Sequence, residues 1–99
     1  MLADDPSDQF LRYSLALELE KEADHDTSLH HLDSLTRDTS PYIAAFFMAA
    51  QQLARLQRVE ESRAYLRGGI EEARKQGDMH AAGEMGEFLA SLGNEPGIG

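Results

Sequence analysis

Cysteine is absent from the 99-residue chain. Its absence excludes a disulfide framework, a thiolate metal site and a cysteine nucleophile. β-branched residues are scarce, with valine only at Val59 and isoleucine only at Ile43, Ile70 and Ile98. The apolar alternation that marks a strand is therefore missing, and no β-structure is expected. Basic residues are few: nine Lys and Arg stand against eighteen Asp and Glu, for a net charge of −9. That balance argues against binding nucleic acid, where phosphates need a basic face, and against an anionic membrane surface. No apolar run approaches the ~20 residues of a membrane span. Asp4 and Asp5 stand where a signal peptide would carry bases ahead of an apolar stretch, so a cytoplasmic chain is expected. GxSxG, HExxH and a phosphate-cradling glycine loop are also missing, so neither catalysis nor a cofactor is expected.

What remains is enough for one small globular domain. Hydrophobic residues make up 41% and charged residues 27% of the chain, close to globular norms. Charge is uneven. Residues 1–40 hold ten acids and three bases, net −7, and residues 41–99 hold eight and six, net −2. The first half therefore favours cationic partners.

Five helices are expected, joined by short loops that make neighbours antiparallel. The first runs from about Pro6 to Glu22 with Leu11, Leu15 and Leu19 as its stripe, and these together with Ala16 are read as the face for its partner helix. Ala23, Asp24 and His25 break it. The second runs from about Asp26 to Arg37 with Leu29, Leu32 and Leu35. The third runs from near Pro41 to near Leu56 with Ile43, Phe46, Ala49, Ala50 and Leu53. The fourth spans Val59 to about Gln76, with Leu66, Ile70 and Ala73 on one side. Gly77 ends it and Asp78 caps the fifth, Met79 to Leu92, which carries Ala82, Met85, Leu89 and Leu92. Asp5-Pro6 and Ser40-Pro41 read as a cap followed by proline in the first turn. Residues 93–99 read as a frayed tail.

The chain also matches itself. At a shift of 34 residues Tyr13 falls on Phe47, Leu15-Ala16 on Ala49-Ala50, Leu19 on Leu53, Ser28 on Ser62 and Leu32 on Leu66. At a shift of 36 Ala49-Ala50 falls on Met85-Gly86 and Leu53 on Leu89. This period of two helices resembles the tetratricopeptide repeat. The residues at the family's first-helix positions are Arg12, Leu15, Ala16 and Leu19, then Phe46, Ala49, Ala50 and Leu53, then Ala82, Met85, Gly86 and Leu89. Small residues at Ala16, Ala50, Gly86, Ser28 and Ser62 permit close helix approach. Arg12 departs from the usual aromatic, Ser40 from the usual proline, and Leu35 is larger than the usual residue.

The resemblance implies an all-α fold of stacked antiparallel hairpins in a short right-handed superhelix. Repeat one would cover about 6–39, repeat two about 40–77 and a capping helix about 78–92 of one domain, the cap covering the last apolar face. Mid-helix Gly68 and Gly69 fit either a packing site that demands a small residue or a hinge for a moving cap.

The first helix is apolar on a second side, where Phe10, Tyr13 and Leu17 form a stripe. A helix apolar nearly all round is buried on two faces. In the family this second face lines a groove that receives a peptide, so the resemblance implies a non-catalytic protein–protein interaction module. Its candidate residues are Phe10, Tyr13, Leu17, Phe47, Met48 and Gln51, with Lys21 and Arg55 at the edge. Carried to the last helix the stripe becomes His80, Gly83 and Glu87, so that end of the groove should be polar. The family's clamp for C-terminal carboxylates needs Lys, Arg and Asn on this face, and only Lys21, Gln51 and Arg55 are candidates. The same stripe fits packing inside the stack as well as it fits a binding surface, and the alternative use of that surface is a homodimer interface. His25, His30 and His31 lie near Asp24 and Asp26, but adjacent residues point about 100° apart on a helix, so no metal site is expected.

Overall fold

Three helices end in the same way, with one residue in the left-handed backbone region. Ala23 (φ 63°), Gln57 (φ 66°) and Gly77 (φ 80°) turn the chain out of the first, third and fourth helices. In each case the following N–H bonds back to the helix: Asp24 to Leu19 at 2.9 Å, Arg58 to Leu53 and Asp78 to Ala73, both at 2.8 Å. These bonds satisfy carbonyls that the helix end leaves open. Ala23 and Gln57 are 34 positions apart, so the repeat is written in the backbone as well as in the side chains.

The computed structural model describes residues 6–92. Its elements are α1 (Pro6–Lys21), α2 (His25–Thr36), α3 (Ile43–Arg55), α4 (Val59–Gln76) and α5 (Met79–Leu92), with no strand among the described residues. The expected tail at 93–99 and the expected Asp5 cap lie outside them. Asp24 caps α2 by accepting from Thr27 N–H, and Asp78 accepts from Ala81 N–H at 3.0 Å. The expected start of α3 at Ser40-Pro41 needs correction. The helix begins at Ile43 after extended Tyr42, because Tyr42 N–H bonds back to Leu35 of α2.

α1 packs on α2, α2 on α3, α3 on α4 and α4 on α5, and α3 also touches α5. The body measures 49 × 33 × 17 Å. One core holds Ala16, Leu32, Leu35, Ala45 and Ala49. The other holds Phe46, Ala50, Leu66, Ala73, Ala82 and Met85. Tyr65 packs against both.

The small residues at the hairpin crossings do more than save space. Ser28 Oγ donates to the carbonyl of Ala16 at 2.8 Å, and Ser62 Oγ donates to that of Ala50 at 2.7 Å. Each hairpin thus carries one buried bond from its second helix to its first. The two differ in one respect. Gln52, fully buried, donates from Nε2 to Ser28 Oγ at 3.1 Å. Ser62→Ala should therefore cost about 0.5–1.5 kcal/mol, and Ser28→Ala about 1–3 kcal/mol, because it also strands a buried amide. Urea melts of the two variants check this, with the larger fall in midpoint expected for Ser28→Ala.

Of the residues expected to face α2, Ala16 is buried against it, but Leu11 and Leu15 are not. Leu11 is 64% exposed and Leu15 47%. α1 meets the core it shares with α2 through Ala16 and Tyr13, and buried Gln9 faces the loop after α2. The physical reason lies in the repeat. Leu11 and Leu15 correspond to Ala45 and Ala49, which α2 covers completely in the second unit. Among the described residues no helix precedes α1 to do the same.

Arg12, which departs from the usual aromatic, has a polar role. Its guanidinium bonds Asp38 at 2.8 and 3.3 Å and Ser34 Oγ at 2.6 Å. Gln9 joins it by donating to Asp38 at 3.0 Å and to the Ser40 carbonyl at 2.7 Å. Burial pushes the Asp38 carboxyl upward, but the hydrogen bonds from Arg12 and Gln9 and the Arg12 charge outweigh it. The net pKa lies below the ordinary 3.8. A depressed carboxyl contributes stability that is complete above its unfolded pKa and is lost as pH falls through the folded one. Stability should therefore fall on acidification below about pH 4. Asp38→Asn should lose about 1–3 kcal/mol at pH 7 and show a shallower fall in acid. Thermal melts from pH 7 to pH 2 check both.

Candidate functional site

The side of the stack formed by α1, α3 and α5 carries the candidate residues. α2 packs between α1 and α3 and α4 between α3 and α5, and of the candidates Tyr13 and Met48 also pack against the core that holds Leu32 and Leu35 of α2. Phe10 is 59% exposed. Tyr13 is half-buried and stacks on Tyr42, with ring centroids 5.3 Å apart. Burial, then the neighbouring Tyr42, raises the Tyr13 phenol above its ordinary value, so it stays neutral at physiological pH. Leu17 and Gln51 are half-buried, and Lys21 is exposed. Met48 packs against the core between α1, α2 and α3. Arg55 is exposed and pairs with Glu20 at 3.2 Å, tying α3 to α1. Glu20 also meets His25 Nδ1 at 2.9 Å.

Phe47 is brought into a cleft of about 360 Å³ between α3 and α5, lined also by Glu84, Glu87, Phe88 and Ser91. The Phe47 and Phe88 rings meet edge to face at 5.8 Å. This corrects the expectation that the α5 end of the groove is polar. Glu87 is there as expected, but Phe88 places an aromatic beside it. Gly83 and His80 are exposed, and His80 Nε2 lies 3.2 Å from Glu84. Glu84, Phe88 and Ser91 were missed by the stripe. A signal for two of them was present, since Met48 and Arg55 shifted by 36 residues fall on Glu84 and Ser91. Phe88 corresponds to buried Gln52 and gave no such signal.

The other chemistry-bearing groups are structural. A second cleft of about 350 Å³, lined by Asp33, Thr36, Arg37, Ala64 and Tyr65, lies between α2 and α4. Its base is closed by Tyr65 Oη donating to Asp33 at 2.6 Å. Burial, then this bond, raises the Tyr65 phenol strongly. Burial pushes Asp33 upward, but its bonds from Tyr65 and Arg37 hold it below the ordinary value. Arg58 pairs with Glu61 at 2.8 Å, and Arg63 with Glu60. Among the described residues no three His, Asp or Glu side chains are grouped so as to hold a metal ion. No helix there is long and apolar enough to cross a membrane.

Paired helices recurring at 34 and then 36 residues, with a serine-to-carbonyl bond repeated in both hairpins, define a tetratricopeptide-like fold. Among solved structures the chain is similar to the solution NMR structure of a tetratricopeptide repeat domain protein from Salinibacter ruber. The likeness covers 91% of each chain with a TM-score of 0.82 and 26% sequence identity. No protein-family model matches the sequence, and no curated protein does.

Proposed function

We propose that the chain is a non-catalytic protein–protein interaction module. A peptide or partner protein lies along the side formed by α1, α3 and α5. Phe10, Tyr13, Leu17, Phe47, Met48 and Gln51 are its contact residues, with Lys21 and Arg55 at the edge. Two observations support the reading, an exposed aromatic on α1 and an aromatic-floored cleft between α3 and α5. Phe10 stays 59% exposed, and Phe47 and Phe88 floor an open cleft. Large rigid aromatics dominate interface energetics. The tetratricopeptide-like fold supports the same reading by analogy of fold. A net charge of −9 sets the chain against nucleic acid as a partner. The test is a random-peptide display selection on the immobilised chain, with counter-selection on Tyr13→Ala/Phe47→Ala. Peptides retained only by the unaltered chain support the reading. Peptides that bind both equally contradict it.

A second reading, homo-oligomerisation, is favoured by Leu11 and Leu15 standing exposed beside Phe10. Exposed Glu18 on the same helix and Glu22 just after it oppose it, because a symmetric contact would bring like charges together. Light scattering after size exclusion over a hundredfold dilution decides. A constant monomer mass rules this reading out, and a dimer mass establishes it.

A further inference from the structure

We propose that the α3–α5 cleft receives a lysine or arginine side chain of the bound peptide. This rests on the interaction reading above and assigns the partner's chemistry at one end of that surface. The cleft holds about 360 Å³ and is lined by two aromatic rings, two carboxylates and one hydroxyl, with no base in the lining. Phe47 and Phe88 meet edge to face, so the floor is apolar and presents ring surface. Glu84 and Glu87 stand at the rim, both exposed. Glu84 has His80 at 3.2 Å. Glu87 has no ion pair among the described residues.

An apolar floor under an acidic rim suits a long amphipathic cation. The methylene stem lies on the rings while the charged head reaches the carboxylates. The head also gains from the ring faces when it sits over them. A purely apolar side chain would instead shield two carboxylates from water without pairing them, which is unfavourable. An acidic one would add like charge. A second copy presenting an acidic surface is disfavoured for the same reason, since the chain carries −9 overall. That net charge also draws cationic peptides to the molecule before any contact forms.

The experiment takes the peptide best retained in the display selection and measures its affinity by calorimetry at two salt concentrations. Three changes follow: the peptide with its anchoring Lys or Arg replaced by norleucine, the Glu84→Gln/Glu87→Gln protein, and both together. Both glutamates are exposed, so the variant should fold, and its circular dichroism should match the parent's. Each change alone should weaken binding about tenfold and flatten the salt dependence, and the combination should add little. Peptides that bind but carry no basic anchor overturn the cation assignment while leaving the interaction reading intact. So does an affinity unmoved by Glu84→Gln/Glu87→Gln. A selection that yields no peptide overturns both.

Discussion

Gly68→Ala should stabilise the protein and Gly69→Ala should destabilise it, although the two glycines are neighbours in one helix. Both changes gain about 1 kcal/mol from removing a mid-helix glycine. Packing decides the sign. A methyl on Gly68 would lie 3.4 Å from the Phe46 ring edge, an ordinary contact. A methyl on Gly69 would lie 2.6 Å from both Phe46 Cβ and Met85 Sδ. The Met85 sulfur is on a flexible chain and can move. Phe46 Cβ is fixed to the α3 backbone and cannot move without displacing that helix. Overpacking of this kind costs about 1–3 kcal/mol and more for larger side chains. Gly68→Ala should raise Tm by a few degrees, and Gly69→Ala should lower it by about 4–8 °C per kcal/mol of net loss. Gly69→Leu should fall furthest, since its bulk must part α4 from both α3 and α5. Thermal melts of the three variants test this. A shift of the same sign in both alanine variants, or a rise in Tm for Gly69→Ala, would place the close crossing elsewhere. This contact favours packing over a hinge at Gly69, where three helices meet, whereas Gly68 has room for a methyl.

Tyr13→Ala/Phe47→Ala should reduce partner binding by at least about a thousandfold, since two aromatic anchors are each worth about 2 kcal/mol or more. Both rings also contribute to the fold, Tyr13 through Tyr42 and Phe47 through Phe88. Helicity by circular dichroism should nevertheless persist, because both residues are only half-buried. Phe10→Ala provides a check free of that overlap. At 59% exposure Phe10 contributes little to folding, so binding should weaken about tenfold or more with Tm unchanged. Loss of helicity in the double variant together with unaltered binding by Phe10→Ala would make the aromatics core residues and nothing else.

The boundary between α4 and α5 was legible because the chain punctuates it chemically, whereas Ser40-Pro41 misplaced the start of α3. Gly77 supplies the left-handed residue after α4 and Asp78 the cap of α5. The period was legible because Ser28 and Ser62, and Ala16 and Ala50, recur at equal spacing. Periodicity gave the faces of α1 but not which of them is covered. Leu11 and Leu15 occupy the slot that α2 covers in the next unit, and coverage there depends on a neighbour rather than on the helix itself. The role of Arg12 was hidden for a similar reason. Its partners Asp38 and Ser34 lie across the hairpin, and nothing local in the sequence pairs them. Phe88 was missed because it breaks the repeat: the equivalent Gln52 is buried against Ser28, whereas α5 ends the described stack and turns its aromatic to Phe47.

The most direct test of the central claim is amide chemical-shift mapping of the labelled protein titrated with the selected peptide. The account predicts saturable shifts along α1, α3 and α5, at Phe10, Tyr13, Leu17, Phe47, Gln51 and Phe88. Shifts confined to α2 and α4, around Ala64 and Arg67, would contradict it.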